Sequence, residues 1–138
     1  MHISSPASVS NTAPCLVVDD DETQLADFIA TVAESKGFRV KTVHSAKEFM
    51  ALYPDTRIGG IFLDIIMPDM DGIELIRWLG ERHCSAPITI MTGYDLTYAQ
   101  MLTMIADSLG IAVLGKLTKP IDLAVLEQSL DAFQEAWA

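Results

Sequence analysis

The sequence predicts an α/β fold, in which five strand–helix units form one doubly wound domain around a mostly parallel sheet. Three observations predict this fold. Short apolar runs alternate five times with stretches whose apolar residues recur at helical spacing, in units of roughly 22 to 25 residues. Half of the 138 residues are hydrophobic but only 7% are aromatic, an aliphatic balance that suits an α/β protein. The length fits a single domain that buries a substantial core.

The first unit begins with the apolar run at residues 15–18, which leads into three consecutive acids, Asp19, Asp20 and Asp21. Apolar residues at helical spacing follow and predict the first helix. Asp21 and Gln24 stand three positions apart, as in the capping box that begins many helices. We therefore expect Asp21 to cap the first helix.

The second unit combines an alternating stretch, residues 38–43, with a short amphipathic helix. The alternation predicts an edge strand. Ser45 and Glu48 form another capping box at the start of the helix, and Pro54 ends the helix because proline cannot continue it.

The third strand is the element around which the rest is organised. Residues 61–63 form an apolar run of β-branched and aromatic character, typical of a strand buried on both faces, and the run stops at Asp64. Pro68 and the pair Asp71–Gly72 then predict a stiff loop with turns. Open α/β sheets bind their ligands beyond the carboxyl ends of central strands, so Asp64 is a candidate functional residue.

The last two units repeat the pattern. The predicted segments are a strand at 88–91, a helix at 97–109, a strand at 111–114 and a final helix capped by Asp122. Thr92 follows the fourth strand, and Lys119 and Pro120 follow the fifth. Four of the five predicted strands therefore end close to polar residues.

The carboxyl ends of parallel strands meet at one edge of a sheet, so these polar residues are expected to form one site. The set consists of Asp19, Asp20, Asp64, Thr92 and Lys119. Three carboxylates about 5 Å apart would repel in pairs by roughly 3 kcal/mol at an effective dielectric constant of about 20. Lys119 supplies one positive charge. We expect a hard divalent cation, Mg²⁺ or Mn²⁺, to balance the remainder, since such ions prefer oxygen ligands.

This arrangement suits phosphoryl transfer to a carboxylate. Asp64 is the predicted nucleophile, while Thr92 and Lys119 offer a hydroxyl and an ammonium group to the phosphoryl oxygens. Each residue alone also fits a structural role, because acids favour helix starts, threonine ends many strands and most lysines lie on the surface. Their occurrence together favours the functional interpretation.

From about Cys15 to Trp137, the chain resembles the receiver domain of two-component response regulators. The resemblance lies in four motifs at the family's spacing: LVVDDD at 16–21, LDIIMPDMDG at 63–72, IMTGY at 90–94 and LTKP at 117–120. It implies a single flavodoxin-like (βα)5 domain whose parallel five-stranded sheet has the order 2-1-3-4-5. It also implies a phosphorelay function, in which a phosphoryl group on Asp64 switches an output surface or a downstream domain.

The resemblance implies roles for the individual residues. Mg²⁺ would be held by Asp20, Asp64 and the backbone carbonyl of Ile66, with Asp19 acting mostly through water. Asp64 would be the phosphoacceptor. The domain would catalyse only its own phosphorylation and dephosphorylation, so we do not expect an enzyme that acts on other substrates.

One departure from the family concerns the conformational switch. Receivers usually carry Tyr or Phe three residues before the lysine, and this chain has Lys116 there. Tyr94, two residues after the threonine, is a second aromatic that we expect to contribute to signalling. Tyr94 and Ile66 are bulky at positions that modulate dephosphorylation in the family, which implies a shielded, long-lived acyl phosphate. The peptide bond between Lys119 and Pro120 is expected to be cis.

The resemblance also implies partners. The phosphoryl donor would be a phosphohistidine on a sensor histidine kinase or a phosphotransfer protein. The phosphate would bias a two-state surface near the fourth helix, fifth strand and fifth helix, through which the chain would also form a homodimer. An output domain would follow Ala138, outside this chain.

The net charge of −10 argues against direct binding of nucleic acid, which needs clustered cations. No apolar run reaches the roughly 18 residues of a membrane span, and the N-terminus lacks the features of a signal peptide. We expect a cytoplasmic protein that does not bind membranes, with a flexible tail at residues 1–13 and a receiver domain at 14–138. Cys15 and Cys84 are expected to be free thiols.

Two alternative functions stay open at this point. Asp19, Asp21 and Thr23 also match the phosphohydrolase signature of the haloacid dehalogenase superfamily, although that family needs a further strand with an acidic pair after the lysine. The second alternative is a receiver that works as an interaction surface without phosphorylation. Lys116 favours this alternative, whereas the intact acidic set opposes it.

Overall fold

The computed structural model describes residues 14–93 and 95–137, within which strands and helices alternate along the chain. The strands are β1 (Cys15–Asp19), β2 (Val40–Val43), β3 (Ile58–Asp64), β4 (Ile66–Met67), β5 (Met70–Asp71), β6 (Ile88–Thr92) and β7 (Val113–Thr118). The helices are α1 (Thr23–Ser35), α2 (Ala46–Leu52), α3 (Gly72–Glu81), α4 (Leu96–Ser108) and α5 (Leu123–Trp137), and a 3-10 turn covers Tyr53–Asp55. The predicted tail at residues 1–13 lies outside the described residues, as do Tyr94 and Ala138.

Five strands form one parallel sheet in the order β2-β1-β3-β6-β7. Numbered among themselves, these strands have the order 2-1-3-4-5, so the predicted fold class and strand order are confirmed. The remaining two strands, β4 and β5, pair with each other in an antiparallel hairpin that follows Asp64. β3 lies at the centre of the sheet, which places Asp64 in the middle of the carboxyl edge.

Each face of the sheet carries its own apolar core, because successive side chains of a strand point to opposite faces. In β3, Ile61 and Leu63 pack on the face covered by α2, α3 and α4, whereas Phe62 packs on the face covered by α1 and α5. All three side chains are fully buried. A central strand that is covered on both faces has a continuous run of apolar residues in its sequence, as residues 61–63 do.

The start of α1 differs from the prediction. The helix begins at Thr23 with Glu22 in the capping position and no side-chain cap, so the capping box assigned to Asp21 is wrong. The backbone N–H of Glu22 instead donates to Asp20 Oδ1 at 2.8 Å, and this bond organises the turn before the helix. Ser45 is confirmed as the cap of α2, because its Oγ accepts from the backbone N–H of Glu48 at 3.0 Å. The carboxylate of Glu48 accepts from the backbone N–H of His44, one residue before the cap, at 3.2 Å.

The last strand of the sheet also lies later than expected. β7 covers Val113–Thr118, whereas the apolar run at 111–114 predicted it two residues earlier and shorter. Ile111 is buried in the core but precedes the strand. β7 is an edge strand, where Gly115 and the exposed Lys116 pair with β6 without needing apolar side chains.

Two glycines at the start of β3 let α5 pack closely against the sheet. A Cβ atom on Gly60 would lie 2.5 Å from the ring of Phe133 and 2.8 Å from Leu16 Cδ2. Phe133 makes an edge-to-face contact with Phe62, with ring centroids 5.1 Å apart. The absence of a side chain at Gly60 therefore allows the buried aromatic pair to form.

We expect Gly60→Ala to lower the free energy of unfolding by about 1–3 kcal/mol, because the added methyl group overpacks the core. Gly115→Ala is the matched control, since a Cβ there would have no described atom within 4 Å. The control should change stability by less than about 0.5 kcal/mol. Urea denaturation measures both values, and an equal loss in the two variants would contradict the packing argument.

Candidate functional site

The five strand-end residues singled out by the sequence lie at one edge of the sheet. Asp19 ends β1, Asp64 ends β3 and Thr92 ends β6, while Lys119 follows β7 directly. Asp64, Thr92 and Lys119 line a cavity of about 290 Å³. Asp20 lies beside it, fully buried. The topology thus brings residues from four separate strands into one place.

Lys119 is held among three carboxylates. Its Nζ lies 2.8 Å from Asp20 Oδ2, 3.1 Å from Glu22 Oε1 and 3.3 Å from Asp64 Oδ2. Its backbone N–H donates to the carbonyl of Thr92 at 2.8 Å, which fixes the chain after β7 against β6. Burial alone would lower the pKa of Lys119, but the hydrogen bond to Asp20 and the neighbouring carboxylate charges raise it above its ordinary value. The ammonium group therefore stays charged at neutral pH.

Asp64 uses its two oxygens differently. Oδ1 accepts a hydrogen bond from the backbone N–H of Ile66 at 3.0 Å, whereas Oδ2 faces Lys119. Burial raises the pKa of Asp64 to about 6, although the Ile66 N–H and Lys119 act in the opposite direction. A carboxylate of this kind is ionised at neutral pH yet only partly compensated by its surroundings.

Two polar groups at this edge are buried without partners. Both carboxylate oxygens of Asp19 lack a hydrogen-bond partner among the described residues, and so does the hydroxyl of Thr92. Burial raises the pKa of Asp19, and the charges of Asp69, Asp64 and Asp20 act in the same direction, so that together they bring it to about 8. Unpartnered buried polar atoms are costly, so this edge is suited to bind a cation, water or a polar ligand.

One group of acids in the described part of the chain has the spacing of a metal site. Asp20, Asp21 and Asp64 each offer an oxygen, and these oxygens lie within 4.8 Å of one another. The group shares Asp20 and Asp64 with the predicted ligands but contains the exposed Asp21 and not Asp19. Asp21 is the third of three consecutive acids, and this run was the signal in the sequence for a further ligand, although Asp21 was predicted to cap α1.

The structure also shows the positions of Ile66, Lys116 and Pro120, which the sequence singled out, and of Glu22, which it did not. The side chain of Ile66 is exposed, and so is that of Lys116, which lies in register with Ile90 of β6. The Lys119–Pro120 peptide bond is cis. Glu22 was missed, because nothing in the sequence distinguishes it from an ordinary residue of a helix start.

Two general expectations can also be compared with the structure. Cys15 and Cys84 are free and buried, as predicted. In the described ranges, no helix combines the length and apolar character needed to cross a bilayer.

Comparison with known proteins identifies the family. The family model of the response regulator receiver domain matches residues 15–131. The transcriptional regulatory protein FixJ of Rhizobium meliloti (strain 1021) is 30% identical over 116 residues, which cover 84% of this chain and 54% of FixJ. The regulatory protein AtoC of Escherichia coli (strain K12) is 25% identical over 108 residues, or 78% of this chain and 22% of AtoC. The chain thus spans about half the length of FixJ and less of AtoC.

Solved structures agree with this assignment. A response regulator from Colwellia psychrerythraea has a TM-score of 0.75 and 31% identity, covering 89% of this chain and 98% of its own. The crystal structure of FixJ-N has a TM-score of 0.71 and 30% identity, covering 89% and 94%. With the family model matching most of the sequence, this chain belongs to the receiver domains of two-component response regulators.

Proposed function

We propose that Asp64 is the phosphoacceptor of this receiver domain and takes its phosphoryl group from a phosphohistidine on a sensor histidine kinase or phosphotransfer protein. The observation that carries the proposal is the position of Asp64 between the Lys119 ammonium, 3.3 Å away, and a cavity that Thr92 also lines. The carboxylate is buried at the end of the central strand but borders open space. A nucleophile needs both a fixed position and access of this kind.

The transfer would form a bond between a carboxylate oxygen of Asp64 and phosphorus. It would break the bond from phosphorus to the imidazole nitrogen, which keeps the electron pair. Lys119 and the unpartnered hydroxyl of Thr92 would donate hydrogen bonds to the phosphoryl oxygens. The Ile66 N–H keeps the Asp64 side chain oriented through its bond to Oδ1. The chemistry is confined to the domain's own phosphorylation and dephosphorylation.

The acids at this edge fit Mg²⁺, with Mn²⁺ as the alternative. The carboxylates of Asp20 and Asp64 and the carbonyl of Ile66 would hold the ion, and Asp19 would act through bound water. The unpartnered oxygens of Asp19 support this assignment, since a buried carboxylate needs a cation or water beside it. When bound, the ion supplies positive charge to the acids and to the phosphoryl oxygens. The exposed Asp21 is a further candidate ligand.

The length of the relatives supports an output domain. The chain spans 54% of a transcriptional regulatory protein, so we propose that a second domain, outside this chain, delivers the response. Homodimerisation would use α4, β7 and α5, where apolar side chains such as Met101, Met104, Leu114 and Leu123 are exposed. We propose a cytoplasmic location and no direct binding of nucleic acid or membrane by this domain.

The phosphohydrolase alternative is less well supported. Within residues 14–93 and 95–137, no strand follows β7, whereas that superfamily needs a further strand ending in acids after the lysine. It would also place the nucleophile at Asp19, which is fully buried, whereas Asp64 borders the cavity together with Thr92 and Lys119.

We expect Asp64→Asn to abolish labelling by acetyl phosphate in the presence of Mg²⁺ while the domain stays folded. The change removes the nucleophile but preserves the volume of a side chain at the edge of the core. Asp131→Asn is the matched control, because Asp131 is exposed on α5, and its labelling should equal that of the wild type. Trapping with borohydride followed by peptide sequencing locates the acyl phosphate, and a trapped product on Asp19 would favour the phosphohydrolase.

We expect the free energy of unfolding of the metal-free protein to fall as pH rises from about 4 to about 8. The pKa of Asp19 is about 8 in the folded state against an ordinary value of 3.8, so in this range the folded protein binds more protons than the unfolded one. Stability is therefore greatest below the unfolded pKa and is lost as pH rises through the folded pKa.

Mg²⁺ should reduce this loss, because a bound cation favours ionised carboxylates. Asp19→Asn should also flatten the pH dependence of the metal-free protein. Urea denaturation across this pH range, with and without Mg²⁺, measures both effects. The same pH dependence in both conditions would contradict the assignment of a metal to this edge.

A further inference from the structure

The residue that commonly relays phosphorylation in receivers is missing from this chain. Lys116 stands at that position, and its side chain is exposed on the edge strand β7. Thr92, the residue to which an aromatic switch would respond, has no hydrogen-bond partner for its hydroxyl among the described residues. A change at Asp64 must therefore reach the helices through residues other than an aromatic side chain at position 116.

A series of hydrogen bonds and strand-pairing contacts connects Asp64, through the β4–β5 hairpin, to α4. Asp64 Oδ1 accepts from the backbone N–H of Ile66 at 3.0 Å, and Ile66 pairs with Asp71 across the β4–β5 hairpin. Asp71 Oδ1 accepts the hydroxyl hydrogen of Tyr98, which belongs to the first turn of α4. The same oxygen accepts from the backbone N–H of Ile73 at 2.9 Å and so caps α3. Each step is a direct contact.

The path continues from Tyr98 towards Thr92. The backbone N–H of Tyr98 donates to Asp95 Oδ1 at 2.9 Å, and Asp95 caps α4. Asp95 lies three positions after Thr92, in the connection from β6 to α4. Tyr98 is thus held at its backbone by the loop after β6 and at its hydroxyl by the loop after β3. It joins the two loops that border the cavity beside Asp64.

Packing around the hydroxyl of Tyr98 is close. A Cβ atom on Gly72 would lie 3.3 Å from that hydroxyl, 3.0 Å from Leu102 Cδ1 and 3.1 Å from the carbonyl of Ile65. The bond to Asp71 is consistent with the titration of both partners. Burial and this bond raise the pKa of Tyr98 to about 12, and the Tyr98 hydroxyl lowers the pKa of Asp71.

The other side of the hairpin is fixed to a different helix. Asp69 accepts from the backbone N–H groups of Ala46 and Lys47 at 3.1 and 2.9 Å, the first residues of α2. The hairpin is therefore tied to α2 through Asp69 and to α4 through Asp71. A movement of Ile66 would reach α4 through the bond between Asp71 and Tyr98, since Tyr98 belongs to the helix itself.

We propose that Tyr98 is the positioning residue that couples the state of Asp64 to α4, through the hydrogen bond of its hydroxyl to Asp71. This inference rests on the proposed phosphorylation of Asp64. In this chain the coupling enters α4 at its first turn, beside the exposed side chain of Leu96. Coupling requires an element that both sites contact, and the first turn of α4 is in contact with both loops.

The test uses Tyr98→Phe, which removes the hydroxyl and keeps the ring. Backbone amide NMR spectra are recorded with and without beryllium fluoride and Mg²⁺, a stable mimic of the phosphorylated state. In the wild type, we expect shifts at residues 64–72 and throughout α4. In the variant, the shifts at 64–72 should persist, while those in α4 should fall to less than half. Tyr53→Phe is the control, because it removes a hydroxyl from the 3-10 turn after α2.

The outcomes separate this inference from the proposed function. A full α4 response in Tyr98→Phe, or a wild type whose loop responds while α4 does not, would overturn the coupling role. A wild type without any response at 64–72 would overturn the phosphoacceptor proposal itself and the inference with it. A purely structural role for Tyr98 would alter the free protein but leave the response of α4 to beryllium fluoride at its wild-type size.

Discussion

Several carboxylates are buried at one edge of the sheet against the ammonium group of Lys119, and the behaviour of the site follows from this concentration of charge. Lys119 reaches Asp20 and Asp64 within 3.3 Å, whereas the Asp19 oxygens find no partner in the described ranges. Burial then raises the pKa values of Asp19 and Asp64. Such an edge is stabilised by anything that brings positive charge.

The topology of the parallel sheet brings the acids together at this edge. Parallel strands place all their carboxyl ends on one side, and the order β2-β1-β3-β6-β7 puts Asp64 between the strand that ends in Asp19 and the strand that ends in Thr92. Helices on both faces bury those strands, and the side chains of Asp19 and Asp64 at the strand ends are buried as well. Stability elsewhere, such as the aromatic packing that Gly60 permits, offsets the cost of burying charge without partners.

The residue pattern was sufficient for the clustering of Asp64, Thr92 and Lys119, because polar residues after buried apolar runs mark strand ends. The order of the strands in the sheet came from the resemblance to receiver domains. The residue pattern was not sufficient for contacts made by loops. The β4–β5 hairpin has two-residue strands, too short for a periodic pattern, and the contact between Tyr98 and Asp71 joins residues 27 positions apart. The limits of β7 were misplaced because an edge strand tolerates Gly115 and Lys116, which hide its apolar pattern.

The most direct test of the account is a crystal structure of the protein grown with Mn²⁺, with the ion located from its anomalous X-ray scattering. We expect one manganese ion bound by the carboxylates of Asp20 and Asp64 and by the carbonyl of Ile66, at the edge that also holds Lys119. Asp20 and Asp64 paired with Lys119 alone, in a crystal whose manganese lies elsewhere, would contradict the claim that this edge of the sheet is a cation site.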